Sequence, residues 1–66
     1  MKPVTGVSAM IGKTGVAIEM LDPLGRVVVS GEIWNAESLT GQIGKGEKIR
    51  ITAIKNLKLF VELLNS

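Results

Sequence analysis

From Thr14 onward, apolar and polar residues alternate in short runs, each bounded by glycine, proline or asparagine. The cleanest run is Lys48 to Ile54, in which Ile49, Ile51 and Ala53 fall on one side and Lys48, Arg50 and Thr52 on the other. A period of two marks a strand with one buried face, because successive side chains leave a pleated backbone in opposite directions. The next run, Leu57 to Leu63, repeats the pattern: Leu57, Leu59, Val61 and Leu63 make an apolar row, with Lys58, Phe60 and Glu62 opposite.

Three earlier runs complete the set. Gly15 to Leu21 is closed by Asp22-Pro23-Leu24-Gly25, where proline presets one turn dihedral and glycine permits positive φ. Arg26 to Ser30 follows, and Gly31-Glu32 turns it into Ile33 to Glu37. Val27 and Val29 are expected to face the same core as the later rows. The first run is less regular, since Val16, Ile18 and Met20 fit one face while Ala17 and Leu21 fit the other. A bulge, or burial of both faces, would account for this, and the pattern leaves the choice open. A polar, glycine-rich connection, Ser38 to Glu47, leads to the fourth run, and Lys55-Asn56 makes the last hairpin turn.

Five short strands with turn signals about every 8–12 residues predict an all-β domain, a sandwich or a barrel. A small twisted sheet removes its unpaired edges by closing on itself. A five-stranded OB-type closed β-barrel over residues 12–66 is therefore expected, with an SH3-like barrel as the rival that strand count and spacing leave open. Residues 1–11, with Pro3 and Gly6, are expected to form a leader or linker.

Composition narrows the chemistry. A 66-residue chain buries only about 60% of the surface its unfolded form exposes, so the core is thin. There is no cysteine and no histidine, which excludes disulfides, thiolate or imidazole metal sites and Cys/His nucleophile–base pairs. The hydrophobic fraction of 45% argues against disorder. No apolar run reaches the roughly 18–20 residues needed to span a bilayer, and the start of the chain lacks a secretory apolar stretch. Eight Lys/Arg stand against six Asp/Glu, interleaved rather than gathered into the stripe that a dedicated nucleic-acid binder shows.

Catalytic constellations are absent from the pattern. Ser8 and Lys13 could be drawn as a dyad, but nothing around them would bury the lysine and lower its pKa. Glu19 and Asp22 straddle a turn and read as solvated. Gly41 and Gly46 have P-loop spacing, but Glu47 stands where the lysine should be and a strand follows instead of a helix. No catalytic activity, cofactor or metal is expected. Single-strand nucleic-acid binding is the functional alternative, since OB barrels stack bases on aromatics above basic grooves. Against it, Trp34 and Phe60 are the only aromatic residues. A structural or oligomerising module is the third reading.

Four clusters carry a family resemblance: Gly12-Lys-x-Gly-x-Ala17, Leu21-x-Pro-x-Gly25, Val27-x-Val-x-Gly31 and Trp34-Asn-Ala36. Lys45-Gly-Glu-Lys-Ile-Arg-Ile51 and Leu57-x-Leu-x-Val61 extend it through the second half. In these features the chain resembles the C-terminal soluble domain of the NfeD family of membrane proteins. The resemblance implies an OB-fold barrel that ends a membrane-anchored protein at the cytoplasmic face of the membrane. It further implies a protein-interaction module whose partner is a stomatin- or flotillin-like membrane protein. Longer members add a serine protease domain and membrane spans; these 66 residues contain neither, so no protease activity is carried over. The expected reading is then an excised domain with residues 1–11 as a linker remnant.

The expected contact surface is an apolar patch of Trp34 and Phe60, with Arg50 and Lys58 at its rim because both point away from the aliphatic rows. Trp34 has a second reading, as a cap on one end of the thin core.

Overall fold

The computed structural model describes residues 10–64. Five strands form: β1 (Thr14–Ala17), β2 (Leu24–Val29), β3 (Glu32–Ser38), β4 (Lys48–Lys55) and β5 (Lys58–Leu63). They close into a barrel in the order β1-β2-β3-β5-β4. All neighbours pair antiparallel except β3 and β5, which run parallel with Ala36 opposite Leu59 and Ser38 opposite Val61. This order and its parallel closing pair are those of an OB-type barrel rather than an SH3-like one.

The interior is the alternating set of inward positions. Ala17, Val27, Val29, Ala36, Ile49, Ile51, Leu59 and Val61 are buried together, with Leu21 and Ile43. Fully burying a Val, Leu or Ile side chain contributes about 1.5–3 kcal/mol. Two glycines are fixed by close approach rather than by turns. A Cβ on Gly15 would lie 2.5 Å from the Val28 carbonyl oxygen, and one on Gly25 would lie 2.7 Å from that of Met20 and meet the Leu21 side chain.

The structure corrects the sequence pattern in several places. The irregularity expected in the first run sits instead in β4, where register shifts between Ile51 and Ala53. Ala53 therefore pairs with outward-facing Phe60, and Ile54 takes the inward place opposite Leu59. The Thr52 hydroxyl donates to the Phe60 carbonyl at 3.0 Å, satisfying a group at the bulge. Second, β1 stops at Ala17. Leu21 is not the end of that strand but an isolated bridge to Ile43, with N–H···O distances of 2.8 and 2.9 Å.

Third, the glycine-rich connection contributes to the core, because Ile43 is only 1% exposed. Its start is held by Ser38, whose hydroxyl donates to the Gly41 carbonyl and accepts from the Thr40 N–H at 3.1 Å. Fourth, the apolar row of the last run frays at both ends, with Leu57 and Leu63 exposed. Leu57 lies in the turn: Asn56 and Leu57 have φ of 54° and 63°. The β2–β3 turn is likewise made by Ser30 and Gly31, and Glu32 already belongs to β3.

The linker expected over residues 1–11 lies outside the described residues up to position 9. Within the described part, Met10 packs against the core and the Gly12 N–H donates to the Ile51 carbonyl at 2.8 Å.

Candidate functional site

Strand parity places a second set of side chains on the outside of the barrel. On β2 these are Leu24 and Arg26, on β3 Asn35 and Glu37, on β5 Lys58 and Phe60. Register aligns them into two rows across three strands: Arg26–Asn35–Lys58, and Leu24–Glu37–Phe60. Between them lies a groove of about 900 Å³. Its floor is the paired Gly25 and Ala36, which lie between the two rows.

The walls come from the connections. Glu19 from the β1–β2 segment closes one side, and the β4–β5 turn, Lys55-Asn56-Leu57, closes the other. That turn needs positive φ at both central residues, which Asn tolerates and glycine usually supplies at the second position. Here the second position is Leu57, and its side chain is 67% exposed beside the groove. A leucine in left-handed backbone costs on the order of 1 kcal/mol, with no burial to offset it. Leu24, 60% exposed, adds a second uncovered aliphatic group.

The charges are partly arranged among themselves. Lys58 Nζ donates to Glu37 at 2.8 Å and stands 5.1 Å from the centre of the Phe60 ring. Arg26 reaches Glu19 at 3.5 Å. Exposed pairs of this kind are worth about 0–1 kcal/mol, so they orient the side chains more than they stabilise the fold.

The four residues expected at a contact surface are thus divided. Phe60 and Lys58 line the groove. Arg50 is on the outer face of β4, bonded to Glu62 through Nε at 2.8 Å, and does not line it. Trp34 goes to the other side of the sheet. Ala36 and Leu59 are paired and both buried, so Trp34, two residues from Ala36, shares the inward side, while Phe60, one residue from Leu59, faces out. The single Trp34–Phe60 patch is therefore not formed. Trp34 packs against the core with Met10 and Ile54, as a cap on it. Its Nε1 is buried with no hydrogen-bond partner among the described residues, a state that costs about 1–3 kcal/mol.

The sequence pattern missed Leu24, Asn35, Lys55 and Leu57. A signal existed for Leu57: Lys-Asn-Leu-Lys between two alternating runs has the asparagine of a two-residue hairpin turn without its glycine. Leu24 carried a weaker one, as an aliphatic residue inside a proline–glycine turn. Among the described residues, no group of three or more acidic side chains is placed to hold a metal ion, and no helix is long and apolar enough to cross a membrane.

Comparison with known proteins gives consistent relatives. Residues 7–62 match the family model of the NfeD-like C-terminal, partner-binding domain. The chain is 45% identical over 58 residues to the membrane-bound protease PH1510 of Pyrococcus horikoshii, an alignment covering 86% of this chain and 13% of that protein. The chain thus spans about an eighth of that relative's length. Among solved structures, it superposes with a TM-score of 0.87 and 41% identity on the C-terminal domain of stomatin operon partner protein 1510-C from Pyrococcus horikoshii. That match covers 96% of this chain and all of the other. The soluble domain of a membrane protein implicated in regulation of membrane protease activity, from Corynebacterium glutamicum, shares the fold with a TM-score of 0.77 at 24% identity. This second match covers 82% of this chain and 90% of that one.

Proposed function

Since the chain belongs to the NfeD family as its C-terminal, partner-binding domain, we propose that it is a noncatalytic docking module. It engages a stomatin- or flotillin-like membrane protein through the groove on the outer face of β2, β3 and β5, and it does so at the cytoplasmic face of a membrane as part of a longer protein. The observation that carries this reading is the groove itself. Leu24 and Leu57 stand uncovered in it, Leu24 in the row of Phe60 and Leu57 across the row of Arg26, Lys58 and Lys55. Exposed apolar anchors with polar groups close by are what a protein interface uses. The description of the 1510-C domain as a stomatin operon partner supports the choice of partner class.

The test is an amide-resolved NMR titration of the domain with the soluble region of a stomatin-like protein. Saturable shifts are expected at Leu24, Leu57, Lys58 and Phe60, and Phe60→Ser should weaken them while leaving the remaining spectrum folded. Shifts confined to the opposite side of the barrel, around Gly12 and Lys48, would move the contact elsewhere. No shifts at all would remove the stomatin-type partner.

A further inference from the structure

The groove has a charge as well as a shape. Its lining brings three cations, Arg26, Lys55 and Lys58, against Glu19, and a second carboxylate, Glu37, stands in the flanking row bonded to Lys58. Arg26 and Lys58 have acidic neighbours, whereas Lys55, at the foot of the turn that carries Leu57, is in no ion pair among the described residues. Register puts the three cations in one row, Arg26–Asn35–Lys58–Lys55, with the row of Leu24 and Phe60 on one side of it and Leu57 on the other. Leu24 and Phe60 stand two strand spacings apart, about 10 Å, and Leu57 rises from the adjoining turn.

Resting on the partner-docking reading, we infer that the groove takes a peptide segment of one chemistry: acidic, with aliphatic or aromatic side chains on either side of its carboxylates. The apolar side chains seat on Leu24, Leu57 and Phe60. The carboxylates meet Lys55 and compete for Arg26 and Lys58, whose present partners hold them in place at little energetic gain. A carboxylate matches these cations in charge, and arginine in bidentate geometry. A single-stranded nucleic acid would use the same cations but needs a row of aromatic faces on which bases stack. Phe60 is the one aromatic in the groove, and Trp34 is turned away from it. Three aliphatic or aromatic anchors on the same surface favour a peptide.

Leu57 makes the inference testable without risk to the fold, because Leu57→Gly relieves the left-handed backbone. Random-sequence peptides displayed on phage are selected on the full 66-residue chain. The enriched peptides are then synthesised and titrated by fluorescence polarisation, with oligothymidylate as the nucleic-acid probe. Enriched peptides should combine aspartate or glutamate with leucine, isoleucine or phenylalanine. Their affinity should fall about tenfold in Lys55→Glu and in Leu57→Gly, and stay unchanged in Lys48→Glu at the opposite end of β4. Groove-dependent peptides without acidic residues would overturn the inference and leave partner docking at the groove standing. Peptides indifferent to Leu57→Gly would overturn both. Failure to enrich any peptide, or oligothymidylate binding more tightly than the best one, would overturn the acidic-peptide assignment.

Discussion

The β2–β3 and β4–β5 hairpins both turn on two residues with positive φ, Ser30 and Gly31 at 52° and 82°, Asn56 and Leu57 at 54° and 63°. In the first, glycine occupies the second position and a Cβ there would meet nothing within 4 Å. The turn simply reverses the chain. In the second, a leucine accepts the unfavourable backbone and remains exposed. Strain without a packing return is the observation on which the contact reading of Leu57 rests. The two aromatics divide along the same line. Trp34 completes the core, and Phe60 completes a groove on the other side of the same sheet.

Substitutions at three positions bear on this contrast. The largest effect is expected for Trp34→Ala, which should lower stability by about 2–4 kcal/mol, toward the lower part of the range for a large aromatic because the indole is partly exposed. Trp34→Phe keeps the apolar body and removes the unpartnered N–H, so it should recover most of that loss in a thermal melt. A Trp34→Ala melt indistinguishable from wild type would place the indole outside the core's energetics.

Gly31→Leu converts the first turn into a likeness of the second. It should destabilise by about 1 kcal/mol, or about 4–8 °C in Tm for a domain of this size, without altering peptide binding at the groove.

The reverse change, Leu57→Gly, should stabilise by about 0.5–1 kcal/mol once glycine's larger unfolded-state entropy is subtracted. Urea unfolding would show a higher midpoint at unchanged slope. A gain in stability together with a loss of binding is a combination that damage to the fold cannot produce. If Leu57→Gly instead destabilises, Leu57 is a packing residue and the contrast between the hairpins fails.

Much of the barrel was legible in the chain because strand periodicity is local. Ile49 with Ile51, Leu59 with Val61, and Val27 with Val29 are assigned to one interior by alternation alone, and they are buried together. Alternation fails where the backbone departs from it. One extra residue at Thr52 reverses the parity of Ala53 and Ile54, and a two-residue turn lifts Leu57 out of its row. Ile43 is hidden for a different reason: its burial comes from a bridge to Leu21 across the barrel, and nothing near it in sequence is periodic.

What the sequence determined by itself is the strand content, the core rows, the exclusion of cysteine and histidine chemistry, and the family, all properties carried by residue type and near-neighbour spacing. The tertiary structure decided which aromatic faces which way and where the groove lies. Those depend on the parallel register of β3 with β5 and the antiparallel register of β2 with β3, which bring Leu24, Glu37 and Phe60 into one row. Register is set by the closure of the whole barrel, because a shift by one residue would exchange inside for outside along an entire strand. No local pattern encodes that constraint.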